Sequence, residues 1–142
     1  DSKQLIFRAS RPQTPQEVEE YQQLLSEGLV APTRMELFVC NLDGSGLRQI
    51  TQLGGANWAP YFHPDGQRVV FSSNHHSKRG FPFNLFMVNL DGSGLRQITF
   101  DSTFDSFPMF SPDGRRLIFA SNRRNGGTRD TNLILVDWVD RP

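Results

Sequence analysis

The sequence has 142 residues, a length that normally makes one domain with a substantial hydrophobic core. Its 15 basic and 15 acidic residues cancel, so no overall charge favours nucleic acid or a membrane surface. No stretch approaches the ~18 consecutive apolar residues of a membrane span, and no signal peptide is recognisable, so direct membrane insertion is not predicted.

The first segment, Asp1–Ser10, passes from a polar turn into the apolar run Leu5-Ile6-Phe7. Later segments repeat this pattern around Val69-Val70-Phe71 and Leu117-Ile118-Phe119. Short apolar runs bounded by turn residues predict strands that are buried on both faces. The chain begins without Met and partway into a repeat, so we expect it to be a product of something longer.

An insertion of helical character, residues 11–34, follows the first predicted strand. Thr14 and Glu17 are spaced as a capping box, with a proline at the first helical position, and Gly28 is a typical C-terminal residue. These signals predict a helix over Pro15–Glu27. Its Val18, Tyr21 and Leu25 fall on one face, which we expect to pack onto the domain.

An eleven-residue block is the clearest signal in the chain, because Asn41–Thr51 is repeated letter for letter at Asn89–Thr99, 48 positions later. A fixed period of this size indicates a repeat architecture. The strand Met35–Asn41 precedes the first copy, and within it Cys40, the single cysteine, is predicted to be a small core residue. Polar residues and glycines of the tight turns have structural roles in this interpretation: Asp43, Gly44, Gly46, Asp65, Gly66, Asp91, Gly92, Gly94, Asp113 and Gly114.

Two prolines recur at the same offset, Pro60 in the predicted strand Trp58–Phe62 and Pro108 in Phe107–Phe110. Because proline cannot donate to a strand ladder, these strands should lie at sheet edges. Each period then holds four short antiparallel strands, A to D, and four such strands per unit are typical of a β-propeller blade. The sequence predicts an all-β fold of about three blades: an incomplete first blade at 1–51, a second at 52–99 and an incomplete third at 100–142.

The repeated residues resemble a known family. W-A-P-Y-F-H-P-D-G-Q-R-V-V-F-S-S-N, from Trp58, and N-L-F-M-V-N-L-D-G-S-G-L-R-Q-I-T, from Asn84, resemble the WD40-like repeat of the TolB propeller family, and so does the copy that begins at Ser111. The resemblance implies a propeller of six or seven blades, usually periplasmic or extracellular. Such propellers bind proteins or gate an attached α/β-hydrolase peptidase. This chain departs from the pattern, with about three blades and no hydrolase portion.

Metal and catalytic sites are not predicted. Asp43-Gly44 and Asp91-Gly92 could suggest calcium, but a calcium loop needs further carboxylates and a distal glutamate, so hairpin turns are the simpler interpretation. The Gly-Ser-Gly of each turn lacks the strand–helix context of a nucleophile elbow. His63 and the pair His75-His76 fall at opposite ends of a blade, so they do not form a zinc site. No cofactor is predicted.

The loops differ between the two ends of the blades. A–B and C–D turns are short and stereotyped, whereas B–C and D–A connections vary in sequence and carry cations, with Arg11 and Arg34 flanking the insertion. Variable loops on a rigid scaffold are where binding usually occurs, although solvated loop charge would look the same. Basic loops would favour an acidic protein partner, and the aromatics fall on strands, which disfavours nucleic acid. The candidate partner-binding residues are His75, His76, Lys78, Arg79, Arg123, Arg124 and Arg129.

Three functions remain open from the sequence. The first is a non-catalytic interaction scaffold that binds a protein through the B–C/D–A loops. The second is the propeller portion of a peptidase, which a downstream G-x-S-x-G would indicate. The third is an accessory subunit of a larger complex, membrane-associated or not, because the open blade edges must be covered by further blades or another subunit. An extracytoplasmic location is implied by the resemblance alone.

Overall fold

The computed structural model describes residues 3–31, 34–78, 81–128 and 130–140, which form three antiparallel sheets and one helix. Sheet 1 joins three strands in the order β1-β2-β3, sheet 2 four in the order β4-β5-β6-β7, and sheet 3 three in the order β10-β9-β8. The elements are β1 (Gln4–Ser10), α1 (Pro15–Ser26), β2 (Met35–Asn41), β3 (Arg48–Gln49), β4 (Asn57–Phe62), β5 (Arg68–Ser73), β6 (Asn84–Asn89), β7 (Arg96–Gln97), β8 (Asp105–Phe110), β9 (Arg116–Ser121) and β10 (Asn132–Asp137). The predicted antiparallel blade architecture is confirmed.

The proline-bearing strands β4 and β8 are edge strands, as predicted from Pro60 and Pro108. Their pairing with the next strand is interrupted at the proline, between Trp58 and Tyr61 in one sheet and between Ser106 and Met109 in the other. A bulge removes the need for a proline N–H and bends the strand. The predicted outermost strand, Leu47–Thr51, is ordered as a ladder only at Arg48–Gln49.

Two apolar layers hold the three sheets together, because alternate residues of β5 face opposite neighbours. Val69 and Phe71 pack toward sheet 1, against Leu37 and Val39, whereas Val70 packs toward sheet 3. Val69, Val70 and Phe71 are fully buried, as predicted for a strand covered on both faces. Sheet 2 is therefore the centre of the fold.

The prediction of burial on both faces is wrong for the first strand and holds only in part for the third. Leu5 and Phe7 of β1 are exposed and only Ile6 packs against the core, while in β9 Leu117 and Phe119 are buried and Ile118 is half-buried. These strands lie in the two outer sheets, which have a neighbouring sheet on one side only among the described residues. A sequence run reports apolar content but not how many sheets flank it.

The repeated hairpin turns have the same geometry in both copies. Asp43 accepts hydrogen bonds from the backbone N–H of Ser45 at 2.9 Å and from its hydroxyl at 2.6 Å, and Asp91 does the same with Ser93. Gly46 and Gly94 adopt positive φ values of 64° and 67°, where a side chain would be strained. These turns close hairpins, as predicted.

Helix α1 begins at the predicted cap. The Thr14 hydroxyl accepts from the Glu17 N–H, and the Glu17 carboxylate accepts from the Thr14 N–H, so both halves of the capping box are formed. The predicted packing face is wrong, because Val18 and Leu25 are exposed and no helix residue is fully buried. Tyr21, which belongs to the predicted face, is half-buried, and with Leu24 it lines a groove that Ser10, at the end of β1, also lines.

Cys40 is buried and unpaired in β2, which confirms its predicted place in the core. The described helix is too short and too polar to cross a bilayer.

Candidate functional site: an aromatic cluster on the loop face

The loop face is the end of the sheets that carries the β5–β6, β7–β8 and β9–β10 connections. The opposite end, the turn face, carries the tight turns between β4 and β5, β6 and β7, and β8 and β9. Antiparallel strands place successive connections at alternate ends, so the variable segments all lie on one side of the molecule.

Five aromatic side chains meet at the loop face. Trp58 lies near the start of β4 and Phe107 in β8, while Phe83 and Phe104 precede β6 and β8 and are bridged through their backbones. The Trp58 ring centroid is 5.5 Å from that of Phe83, 6.0 Å from that of Phe104 and 5.8 Å from that of Phe107. Phe81 completes the cluster, 5.5 Å from Phe83 and edge-on to it.

The aromatic cluster is anchored in the core yet open to solvent. Phe83 is buried with Met35 and Ala56, whereas Phe81 is 63% exposed and Phe107 is 56% exposed. Large aromatic side chains that are fixed at the base and exposed at the tip are typical of protein-binding surfaces. This is the largest group of ring-to-ring contacts among the described residues.

The backbone at this cluster is strained. Phe107 has a φ of 53°, and Ala59, its equivalent in β4, has a φ of 48°. A bulky residue in the left-handed region costs about 1–3 kcal/mol and persists only where the surroundings hold it. The indole N–H of Trp58 is also buried without a partner among the described residues. Both features lie at the bulges of the proline-bearing strands.

Sequence reasoning missed this cluster, although the repeat contained a signal for it. Comparison at the 48-residue offset places Trp58 opposite Ser106, Phe104 opposite Ala56 and Phe107 opposite Ala59. An aromatic in one copy thus stands where the other copy has a small residue, at three neighbouring positions. Departures from an otherwise faithful repeat would have identified these positions.

The predicted histidines and Lys78 are brought together in the β5–β6 connection. His75 packs its ring 4.5 Å from that of Phe86 and contacts the Ser73 hydroxyl at 2.8 Å, while His76 and Lys78 are exposed. Burial, and secondarily the neighbouring His76, lowers the pKa of His75, and burial lowers the pKa of His76. Both shifts favour the neutral imidazole, and Lys78 is the lysine or arginine of this loop that the structure describes.

Arg123 has an internal role that the sequence did not predict. Its guanidinium pairs with the fully buried carboxylate of Asp105, lies 3.8 Å from Asp101 and sits over the Phe119 ring. Ser121 donates to the same Asp105 at 2.6 Å. The charge of Arg123 is thus neutralised within the fold.

The equivalent position in sheet 2 has no charge. There Asn57 replaces Asp105 and His75 replaces Arg123, and Ser73 donates to Asn57 at 2.6 Å as Ser121 does to Asp105. The repeat preserves this buried polar contact while changing its charge. The presence of a cation in one of these loops therefore does not show whether it binds a partner or stabilises the fold.

The remaining predicted cations occupy different environments. Arg124 is exposed beside Arg123, Arg11 lies over the Phe38 ring at 4.6 Å, and Arg34 pairs with Glu17 of the capping box. Arg79 and Arg129 lie outside the described residues. Among the candidate partner-binding cations that the structure describes, Lys78 and Arg124 are thus the two with exposed side chains on the loop face.

No group of three His, Cys, Asp or Glu side chains in the described part of the chain is placed to hold a metal ion. His63 lies on the turn face, as predicted, packed 4.5 Å from the Phe110 ring with its Nδ1 3.0 Å from Asp65. It is therefore separated from His75 and His76 by the length of a strand.

Comparison with solved structures supports the same fold. The chain superposes with a TM-score of 0.67 and 21% identity on a putative TolB from Agrobacterium tumefaciens, covering 95% of this chain and 42% of that one. For TolB from Acinetobacter baumannii the TM-score is 0.62 at 17% identity, over 96% of this chain and 28% of that one. The chain thus spans less than half of each structure.

A short sequence match is also found in a peptidase. Dipeptidyl-peptidase 5 of Porphyromonas gingivalis is 51% identical over 39 residues, which are 28% of this chain and 6% of that protein. The sequence model of the TolB beta propeller domain matches residues 24–129, most of the chain. With its repeats, its three antiparallel sheets and this match, the chain belongs to the TolB beta propeller domain family.

Proposed function

We propose that this chain is a non-catalytic protein-binding module whose loop face contacts the partner, in an extracytoplasmic compartment. The observation that carries the proposal is the aromatic cluster of Trp58, Phe81, Phe83, Phe104 and Phe107, open to solvent on a rigid base. Family membership supports both the binding role and the location. The sheets supply rigidity and the loops supply chemistry.

The cluster has the features of an interface centre. Aromatic residues are enriched among the few positions that dominate binding energy, because they bury a large area with little loss of side-chain entropy. Phe81 and Phe107 are the most exposed members, so a partner would cover them first. The partner surface that fits is apolar at its centre.

Two cations on the loop face, Lys78 and Arg124, add a preference for acidic groups on the partner. Lys78 and Arg124 are exposed on the loop face. Among the described residues, no Asp or Glu of this chain forms an ion pair with either side chain. Exposed cations of this kind act mainly on the association rate and are screened by salt. We therefore propose a partner whose apolar segment is bordered by carboxylates.

The first test is alanine substitution of the exposed aromatics. Phe81→Ala and Phe107→Ala should each weaken binding by ~10-fold or more in a titration against a partner captured from the native source, as truncation of interface hot spots does. Leu42→Ala is a matched control, since Leu42 is 59% exposed on the turn face. Equal binding by all three variants would refute the assignment.

The second test separates the contribution of Lys78 and Arg124 to binding from that of the aromatic cluster. Reversal of Lys78 and Arg124 to Glu should slow association ~10-fold at low salt, with little difference from the unmodified chain at high salt. Arg123 is left in place because it binds the buried Asp105. Arg115→Glu on the turn face is the control. An unchanged on-rate would restrict the contact to the aromatics.

A peptidase propeller is the second candidate, favoured by the 39-residue match to dipeptidyl-peptidase 5. In that case the loop face would meet a catalytic domain of the same polypeptide. The gene decides between the two: a downstream G-x-S-x-G followed by Asp and His would favour the peptidase.

A further inference from the structure

The β9–β10 connection contains the dipeptide Asn125-Gly126, and Asn-Gly occurs nowhere else in this chain. Each of the other asparagines precedes a residue with a large side chain: Leu, Trp, His or Arg. When glycine follows an asparagine, its backbone nitrogen can attack the asparagine side chain, because no Cβ shields that nitrogen and the glycine backbone rotates freely. Asn125 is thus the asparagine whose neighbour best permits ring closure onto its own side chain.

The structure places both reacting groups in a loop that is open to solvent. Asn125 is half-buried and Gly126 is exposed, with a φ of 67°. A Cβ built on Gly126 would meet no atom within 4 Å, so the space around its backbone is open. Among the described contacts, the Gly126 N–H donates no hydrogen bond. The nucleophile is therefore accessible to solvent base.

Hydrogen bonds hold and polarise the Asn125 amide. Its Oδ1 accepts from the N–H of Gly127 at 3.1 Å, and its Nδ2 donates to the carbonyl of Thr128 at 2.7 Å. The bond to Oδ1 withdraws electrons from Cγ and stabilises the negative charge that develops on Oδ1 during attack, as backbone N–H groups do for an oxyanion in enzymes. Cγ is therefore activated at the position where the Gly126 nitrogen would bond.

The repeat indicates that Asn-Gly is not required to close this type of loop. At the 48-residue offset, Ser77 and Lys78 of the β5–β6 connection stand in the places of Asn125 and Gly126. The two connections join equivalent strands of neighbouring sheets and have the same length. The dipeptide is thus a particular property of the β9–β10 loop.

We propose that Asn125 is a site of spontaneous deamidation. The Gly126 nitrogen loses its proton to solvent base and bonds to Cγ of Asn125. The Cγ–Nδ2 bond then breaks, and ammonia leaves with a proton from water. Water next opens the resulting succinimide ring at either carbonyl, which gives aspartate or isoaspartate. Overall, water is consumed and ammonia is released, with no oxidant, reductant or enzyme.

The product opens the loop and lowers its positive charge. A carboxylate cannot donate, so the bonds from Nδ2 to the carbonyls of Thr128 and Asp130, of 2.7 and 3.4 Å, are lost and replaced by repulsion between oxygens. Isoaspartate also lengthens the backbone. The new charge lies beside Arg124, an exposed cation of the loop face. The modification is therefore an irreversible change within the loop face, although its chemistry does not rest on the proposed binding function.

The experiment is incubation of the purified chain for days in mildly alkaline buffer, followed by peptide mapping with mass spectrometry. The expected result is conversion at Asn125 to a mixture of aspartate and isoaspartate. Asn122 is the internal control, because it lies in the same loop but precedes Arg123. Cleavage after Arg124 places the two asparagines in different peptides. Absence of conversion at Asn125, or equal conversion at Asn122, would overturn the proposal.

Two variants test the chemistry and its consequence separately. Asn125→Ser, which copies Ser77 of the other loop, should abolish the release of ammonia, and release that continues would place the reaction elsewhere in the chain and refute the assignment. Asn125→Asp supplies a product directly and should speed amide exchange at Thr128 and Asp130 ~10-fold or more. Exchange equal to that of the unmodified chain would overturn the opening of the loop. Circular dichroism checks that both variants keep the fold.

Discussion

Arg123 and Arg124 are adjacent in the sequence and have opposite environments. Arg123 neutralises the fully buried Asp105, whereas Arg124 is exposed. Arg123→Ala should lower the free energy of unfolding by ~3–5 kcal/mol, because it leaves a buried carboxylate without its counter-charge. Arg124→Ala should change it by less than ~0.5 kcal/mol. Chemical denaturation of both variants measures the difference.

The double variant Asp105→Asn with Arg123→His provides the control, because it copies the Asn57 and His75 arrangement of sheet 2. It should recover most of the stability lost in Arg123→Ala. Failure to recover would mean that Arg123 acts through its packing on Phe119 rather than through charge.

Substitution of Phe119 tests the packing of the core. Its ring is buried between sheets 2 and 3, so Phe119→Ala should cost ~3–5 kcal/mol in chemical denaturation. Phe100→Ala is the matched control, since Phe100 is 78% exposed. A loss below ~1 kcal/mol for Phe119→Ala would contradict the packing between these sheets.

Single residues are where the sequence was least informative. Arg123 and Arg124 look alike in a list of loop cations, because the carboxylate that distinguishes them, Asp105, lies on another strand. Turn residues were easier to predict, since Asp43 and Gly46 contact residues that are only a few positions away in the sequence. Local chemistry is readable from the sequence, whereas a partner distant in the chain is not.

Among the elements, α1 gives the clearest prediction. Thr14→Ala should weaken the helix by ~0.5–2 kcal/mol through loss of the cap. Because no helix side chain is fully buried, the loss should appear as faster amide exchange in α1 with little change in global unfolding. Gln22→Ala, on the exposed side of the helix, should leave exchange unchanged.

The helix also shows which of its features can be predicted from the sequence and which cannot. Its cap and its end near Gly28 were predicted because these depend on neighbours in the sequence. Its packing face was mispredicted because helical periodicity identifies Val18, Tyr21 and Leu25 as apolar without identifying the surface opposite them. Of that face only Tyr21 is half-buried, and with Leu24 it lines a groove that Ser10, at the end of β1, also lines.

For the whole molecule, the 48-residue period predicted three stacked sheets, and the stack is confirmed. Burial on both faces was expected of β1 as well as β5, however, and the exposed Leu5 and Phe7 of β1 depart from that expectation. The period describes the contact between one sheet and the next but gives no information on what covers the outermost ones.

Acid should destabilise all three sheets, because several aspartates have a lowered pKa in the folded chain. Hydrogen bonds from Arg68 lower the pKa of Asp140, and serine hydroxyls lower those of Asp43, Asp91 and Asp113. A carboxylate whose pKa is lower in the folded state stabilises the fold above its ordinary pKa, here 3.8, and that stability is lost as the pH falls through the folded value. The free energy of unfolding should therefore decrease progressively below about pH 4.

Asp140→Asn isolates one of these contributions. Asp140 accepts two hydrogen bonds of 2.6 Å from Arg68 of sheet 2, and so ties the segment after β10 to β5. Its carboxylate is half exposed, so the substitution should cost only ~0.5–1 kcal/mol at pH 7 and low salt. The cost should shrink as the pH falls, because protonation of Asp140 removes the same ion pair from the unmodified chain. Urea denaturation at several pH values measures it, with Asp137→Asn on the exposed strand β10 as the control; a pH-independent cost would show that Asp140 acts through packing rather than charge.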